Sequence, residues 1–224
     1  MRTIAIVSQK GGAGKTTLAV HLATAADAAG IVSLIVDTDP QATASRWSQW
    51  RSGADPEVID CGAPSLLANK LAKASALGAQ LAVIDSPPHA DLMAREAARC
   101  ADLVLIPCRP KAFDLAALEA TADLVRSRRD TAFVVLMAGP PKARLIYSEA
   151  TDLIAGASGL GLQIAPVVLA DRADFHHSTA AGRTAAETAP LGKAAAEVAR
   201  LWAWTCAQLD MSTCGQGQTG RSDR

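Results

Sequence analysis

The ten residues from Ser8 to Thr17, SQKGGAGKTT, combine three glycines with two lysines and two threonines. This mixture suits phosphate. Glycines leave backbone N–H groups free to turn inward around phosphate oxygens, and a helix opening at Lys15 adds the partial positive charge of its N-terminus. Gly11, Gly12, Ala13, Gly14, Lys15, Thr16 and Thr17 are therefore the expected nucleotide contacts. Lys15 is placed to reach the terminal phosphates, and the Thr16 hydroxyl to ligate Mg²⁺. The usual pattern G-x-x-x-x-G-K-[ST] fits Gly14, Lys15 and Thr16 but puts Gln9 where its first glycine belongs. The loop is a variant, and Lys10 is a cation that an ordinary loop lacks.

Carboxylates complete the chemistry. LIVDTDPQ places Asp37 and Asp39 at the end of an apolar run, and LAVIDSPP places Asp85 at the end of another. Open α/β sheets bind ligands at strand ends. A single strand-end aspartate is often only a helix cap; three of them beside a phosphate loop point to a metal and an attacking water. Thr16, Asp37 and Asp85 are the expected metal set, with Asp85 acting through water. Adjacent His176 and His177 diverge on any regular element and offer no ligand cluster. The five cysteines are odd in number and scattered with no C-x-x-C pair, so neither a disulfide framework nor a thiolate metal site is suggested and buried thiols are expected.

The elements that must position these groups are legible as an alternation. Short Val/Ile/Leu-rich runs at 3–8, 31–37, 81–86, 102–108, 132–139 and 162–169 are apolar on both faces, as central parallel strands are. Helical candidates lie between them at 15–29, 64–78, 91–100, 113–129, 143–157 and 190–209. The expected fold is α/β: a mostly parallel twisted sheet flanked by helices on both faces. One domain is expected over 1–210, with 211–224 a disordered polar tail. Lys plus Arg and Asp plus Glu number 22 each, so the chain does not coat nucleic acid by bulk charge. No apolar run is long enough to span a bilayer, and a cytoplasmic location without membrane is expected.

KGGAGKTT, DTDPQ and VIDSPP together resemble the deviant Walker A ATPases, the ParA/MinD group of partition and positioning proteins within the P-loop NTPase fold. The resemblance covers residues 1–209 and implies ATP and Mg²⁺ as cofactors. It implies that Lys10 crosses to a second copy and contacts its ATP phosphates, closing a homodimer around two nucleotides, and that Asp39 orients the attacking water. A physical reading agrees: Lys15 already serves the terminal phosphates, and Lys10 could reach the same ones in its own subunit only by folding back over its loop. Lys10, Lys15 and Asp39 are thus the expected catalytic residues.

Finer features choose among branches. The polar tail is unlike the amphipathic membrane helix of MinD relatives, the cysteines do not match the iron–sulfur relatives, and only Met1 and Arg2 precede the first strand, so site-specific operator binding is not expected. Residues 165–202 resemble the C-terminal region of small ParA or ParF proteins. Arg172, Arg183, Lys193 and Arg200 are candidates there for a sequence-independent DNA surface, implying nucleoid association and a small DNA-binding adaptor, ParB- or ParG-like, that stimulates hydrolysis. RSRR at 126–129 reads as cations complementing a helix end. Trp202 and Trp204 suit helix packing or a dimer contact; Trp47 and Trp50 suit an interface or the core. Relatives read adenine with an asparagine near MAGPPKAR, but the only asparagine in this chain is Asn69. The base contacts are expected instead from the backbone around Pro140 and Pro141 or from the loop after Val168. A small-molecule ligase or kinase resembling dethiobiotin synthetase, and a MinD-like positioning ATPase, remain as alternatives.

Overall fold

The computed structural model describes residues 1–157 and 160–211; all but the first residue of the expected tail lies outside them. Seven strands form one sheet: β1 (Arg2–Ile6), β2 (Ser33–Asp37), β3 (Glu57–Asp60), β4 (Leu81–Asp85), β5 (Leu103–Cys108), β6 (Ala132–Leu136) and β7 (Gln163–Ile164). Their order is β3-β2-β4-β1-β5-β6-β7, and every pairing is parallel. The expected α/β architecture is what the chain adopts.

Side chains alternate across the sheet and build two apolar layers. Ile4, Ile6, Leu81, Val83 and Phe133 face α1 (Lys15–Ala28) and α10 (Lys193–Gln208). Ala5, Leu34, Ile84, Val104 and Val134 face the opposite layer, built on α3 (Pro64–Ala76), α4 (Asp91–Cys100), α6 (Leu118–Leu124) and α7 (Arg144–Gly156). This double covering explains why β2, β4 and β5 are buried along their whole length and read as unbroken apolar runs.

Three expectations are corrected. β3 was not among the expected strands: it is only four residues long, half-buried at the sheet edge, and too short and polar to stand out as a run. The run 162–169 keeps only β7 as a strand, after which Leu169 makes one bridge to Met137. The helix expected over 113–129 divides into α5 (Ala112–Ala116), α6 and a 3₁₀ turn from Arg126 to Thr131 in which Arg128 leaves helical geometry. The cations of RSRR serve local bonds there: Arg126 pairs with Asp123, and Arg128 Nη2 donates to the Arg99 carbonyl, where α4 ends. Three helices were also missed: α2 (Thr43–Trp50), α8 (Ala173–Ala180) and the single turn α9 (Ala185–Thr188).

Parallel pairing brings the chemistry to one edge. Ile6 stands in register with Asp85, and Asp85 with Asp37. The loop leaving β1 and the acids ending β2 and β4 therefore emerge side by side.

Candidate functional site at the carboxyl edge of the sheet

The loop between β1 and α1 turns through left-handed backbone at Gly12 (φ +68°) and Gly14 (φ +101°). A Cβ at Gly14 would lie 2.6 Å from Cε of the Met137 side chain, whose flexible end can shift. It is the left-handed conformation that favours glycine at that position. The left-handed Gly14 is also the N-cap of α1 and has no side chain to satisfy its first N–H groups, so they are available to an anion.

The two lysines of the loop differ. Lys15 is buried, and its ammonium reaches the carbonyls of Ser8 and Lys10, each at 3.3 Å. Burial pulls its pKa down, opposed by the charges of Asp85 and Asp39. It is a cation desolvated inside its own loop, held where triphosphate oxygens would meet it. Lys10 is half-buried and enters none of the ion pairs among the described residues.

The acids also separate into roles. Thr16 Oγ1 donates to Asp85 Oδ2 at 2.6 Å, while Asp85 Oδ1 is buried without a hydrogen-bond partner. Burial, joined by the Asp37 and Asp39 charges, pushes the Asp85 carboxyl up to about 7 against the opposing Thr16 bond and Lys15 charge. An unpartnered oxygen on a buried carboxylate beside a threonine hydroxyl fits a divalent cation, whose charge would restore the ionised form. Among the described residues no three His, Cys, Asp or Glu side chains gather into a metal cluster, so such a cation needs phosphate oxygens and water to complete its shell.

Asp37, also of the expected metal set, is engaged by its neighbours. Its Oδ1 accepts the Asp39 N–H (3.1 Å), and its Oδ2 accepts both the N–H (2.9 Å) and the hydroxyl (3.2 Å) of Ser45, in the first turn of α2. Oδ2 thus holds the first turn of α2, and Oδ1 holds the loop before it. Asp39 is half-buried and binds its own loop, accepting the Gln41 N–H at 2.8 Å.

Next to Gly14 lies a groove of about 130 Å³, walled by Thr17, Met137, Ala138, Leu169 and Asp171 with Phe175 behind. Its two rims are tied together where Ala138 N–H donates to Leu169 O and Asp171 N–H donates to Gly139 O, both at 2.8 Å. Pro140 and Pro141 are exposed and line a separate shallow surface with Lys142 and Ala143. The groove beside the phosphate loop is thus formed by residues just before these prolines and by the loop after Val168.

Arg172, an expected DNA contact, is paired within the chain. Its Nε and Nη2 donate to Glu197 Oε1 at 3.0 and 2.5 Å, and Glu197 Oε2 accepts the Ala170 N–H. This pairing offsets the guanidinium charge locally. Arg183, Lys193 and Arg200 are exposed and enter no ion pair among the described residues. Trp47 and Trp202 are buried, Trp204 packs edge-on against Phe133, and Trp50 is exposed. His176 faces Asp171 at 3.2 Å.

Sequence reasoning missed His21, Ser45, Arg51 and Glu187. His21 is buried in α1: its Nδ1 meets the Thr17 carbonyl at 2.7 Å, and its Nε2 accepts the Ala185 N–H at 3.1 Å. Thr184 and Glu187 form a capping box, for which the spelling TAAE was a usable signal.

A family model described as the CobQ/CobB/MinD/ParA nucleotide binding domain matches residues 4–184. The maintenance of carboxysome distribution protein A of Halothiobacillus neapolitanus is 27% identical over 213 residues, 87% of this chain and 91% of that one. A ParA protein of Rhizobium radiobacter is 36% identical over 118 residues, 51% of each chain. Among solved structures, an ATP complex of a Cyanothece McdA variant superposes with a TM-score of 0.70 at 17% identity, covering 95% of this chain and 97% of that one. The Aquifex aeolicus MinC:MinD cell division complex gives 0.73 at 16% identity, covering 92% and 96%. With the motif, the fold and more than half the chain in agreement, this protein belongs to the CobQ/CobB/MinD/ParA nucleotide-binding domain family.

Proposed function

We propose that the protein is an ATP-hydrolysing positioning switch that pairs with a second copy when it holds nucleotide and is reset by hydrolysis. The observation that carries this reading is the division of labour between its two loop lysines. Lys15 is turned into its own loop by two carbonyls, whereas Lys10 has no ion-pair partner among the described residues and is free to serve another chain. The names of relatives, maintenance of carboxysome distribution for one and chromosome partitioning for another, support a positioning output over small-molecule synthesis.

Backbone N–H groups from Gly11 to Thr17 and the Lys15 ammonium would hold the triphosphate, with the base in the groove beside Gly14. Mg²⁺, held by Thr16 and by Asp85 through water, would supply charge neutralisation at the transferring phosphoryl group. Asp39 orients water toward the terminal phosphorus, and ADP leaves as phosphate is released. Lys10 of each copy stabilises the charge developing in the other, so turnover requires association. Arg183, Lys193 and Arg200 contribute a non-specific DNA surface; the last two stand seven residues apart, on one face of α10. A small adaptor stimulates hydrolysis.

Sedimentation and phosphate release with and without DNA test this. Lys15→Ala loses nucleotide binding. Lys10→Ala keeps monomer binding and loses pairing and turnover, and Asp39→Ala pairs with ATP without hydrolysing it. A Lys10→Ala protein with parental hydrolysis defeats the cross-subunit role, and fast turnover dependent on a small acceptor supports the ligase alternative instead.

A further inference from the structure

α2 begins where the acidic segment ends and is fastened at both ends. At its start, Asp37 takes the Ser45 N–H and hydroxyl, and Ala42 N–H donates to Asp39 O at 2.8 Å, so the segment 37–45 is stitched to the helix. At its end, Arg51 makes a forked contact with Glu187, Nη1 to Oε2 at 2.9 Å and Nη2 to Oε1 at 2.7 Å, and Nη1 also reaches the Gly182 carbonyl at 3.2 Å. The guanidinium lies 5.1 Å from the Trp47 ring, and Trp47 Nε1 donates to Arg183 O at 3.3 Å. Gly182 is pressed so closely against α2 that a Cβ there would fall 2.4 Å from the Trp50 carbonyl carbon.

The receiving turn is fastened to the other side of the nucleotide site. Glu187 Oε2 accepts the Thr184 N–H, and Ala185 N–H donates to His21, whose other nitrogen meets the Thr17 carbonyl within the phosphate-loop helix. The contacts run in sequence from Thr17 through His21, Ala185, Glu187 and Arg51 to α2, Ser45, Asp37 and Asp39. No residue from His21 to Arg51 in that run is placed to touch nucleotide, yet together they span from the phosphate side to the acid side.

We propose that Arg51 is a positioning residue: by clasping Glu187 it holds α2, and through α2 the Asp37–Asp39 segment, in fixed relation to the phosphate loop. The consequence for hydrolysis rests on the reading of Asp39 given above; the consequence for the apo protein does not. A forked arginine–carboxylate pair fixes orientation as well as distance, and small misplacements of a group that orients a reactant are costly in rate.

The test compares the parent with Arg51→Met, which keeps the apolar stem on Trp47, Arg51→Lys, and Glu187→Gln, which keeps an acceptor for the capping box. In the nucleotide-free protein, amide exchange over 37–45 should accelerate about tenfold in Arg51→Met and Glu187→Gln, with β1 and β4 unchanged. With ATP, kcat should fall about tenfold while the nucleotide dissociation constant stays within about twofold, and Arg51→Lys should recover part of the loss. Unchanged exchange over 37–45 in both variants, acceleration throughout the sheet, or hydrolysis at the parental rate overturns the proposal. Should Arg51→Met not fold, Glu187→Gln decides alone. If the parent itself does not hydrolyse ATP, the proposed function has failed and amide exchange still decides the role of Arg51.

Discussion

Lys10 and Lys15 share one loop and differ in what surrounds them: a buried ammonium engaged by carbonyls, and a half-buried one outside every ion pair among the described residues. His21 adds a pH dependence at the same scale. Both its nitrogens are committed, one toward the Thr17 carbonyl and one accepting from Ala185, which is the pattern of a neutral ring. Burial drives its pKa from 6.5 down to about 4, against the opposing Thr17 carbonyl and Glu187 charge. The unfolded chain takes up this proton below 6.5 and the folded one only near 4. The contribution of His21 is therefore complete above 6.5 and is lost as pH falls through that window, on the order of 3 kcal/mol in all. Asp85, with its carboxyl raised to about 7, acts in the opposite sense over the same window, so the His21 part is read as the difference in thermal unfolding between the parent and His21→Gln from pH 7 to 4.5.

At the scale of elements, the C-terminal region is held by a few polar clamps. Glu197, in the second turn of α10, accepts from Arg172 and from the Ala170 N–H, fixing the loop after Val168 that walls the groove beside Gly14. Removing one partner of such a pair leaves a partly buried charge and an unpaired N–H. Glu197→Ala should lower stability by about 2 kcal/mol and weaken nucleotide binding through the groove wall. Denaturant unfolding and nucleotide titration check the two parts. Arg183→Ala, Lys193→Ala and Arg200→Ala together should reduce DNA retention and its salt dependence with no effect on folding; Arg172→Ala should instead cost stability. Urea midpoints and a salt series of DNA binding separate the two behaviours.

Across the whole molecule, parallel strands force the following helices to begin at one edge, and three of them begin with exposed apolar side chains. Leu92 of α4 is 77% exposed, Phe113 of α5 is 84% exposed and Leu145 of α7 is 70% exposed. They share an edge with the phosphate loop, the side on which a second copy holding Lys10 against the nucleotide would arrive. Covering a phenylalanine in each of two copies contributes a few kcal/mol, so Phe113→Ser should weaken ATP-dependent pairing about tenfold or more. Sedimentation with a slowly hydrolysed ATP analogue reads this, with monomer thermal stability as the control. Parental pairing in Phe113→Ser would exclude that edge from the interface. Among the described residues no helix is long and apolar enough to cross a membrane.

The phosphate loop, the strand-end acids and the alternation of strands and helices were legible in the amino-acid order because each is local: glycine spacing, an apolar run and the residue that ends it lie within a few positions. The same locality hid β3 and α2, whose four and eight residues earn their structure from the sheet edge and from Trp47 rather than from a run of their own. What each acid bonds was decided in three dimensions. Asp37 and Asp85 look alike at the ends of two apolar runs, and only the fold gives Asp37 the Ser45 N–H and Asp85 the Thr16 hydroxyl with one oxygen left unpartnered. Arg172 and Arg183 likewise look alike in sequence, and only the packing of α10 brings Glu197 to one and leaves the other exposed. The pairing of Arg51 with Glu187 joins residues 136 positions apart, a distance over which sequence carries no pairing signal, because a charge selects its partner only after the backbone has brought the two together.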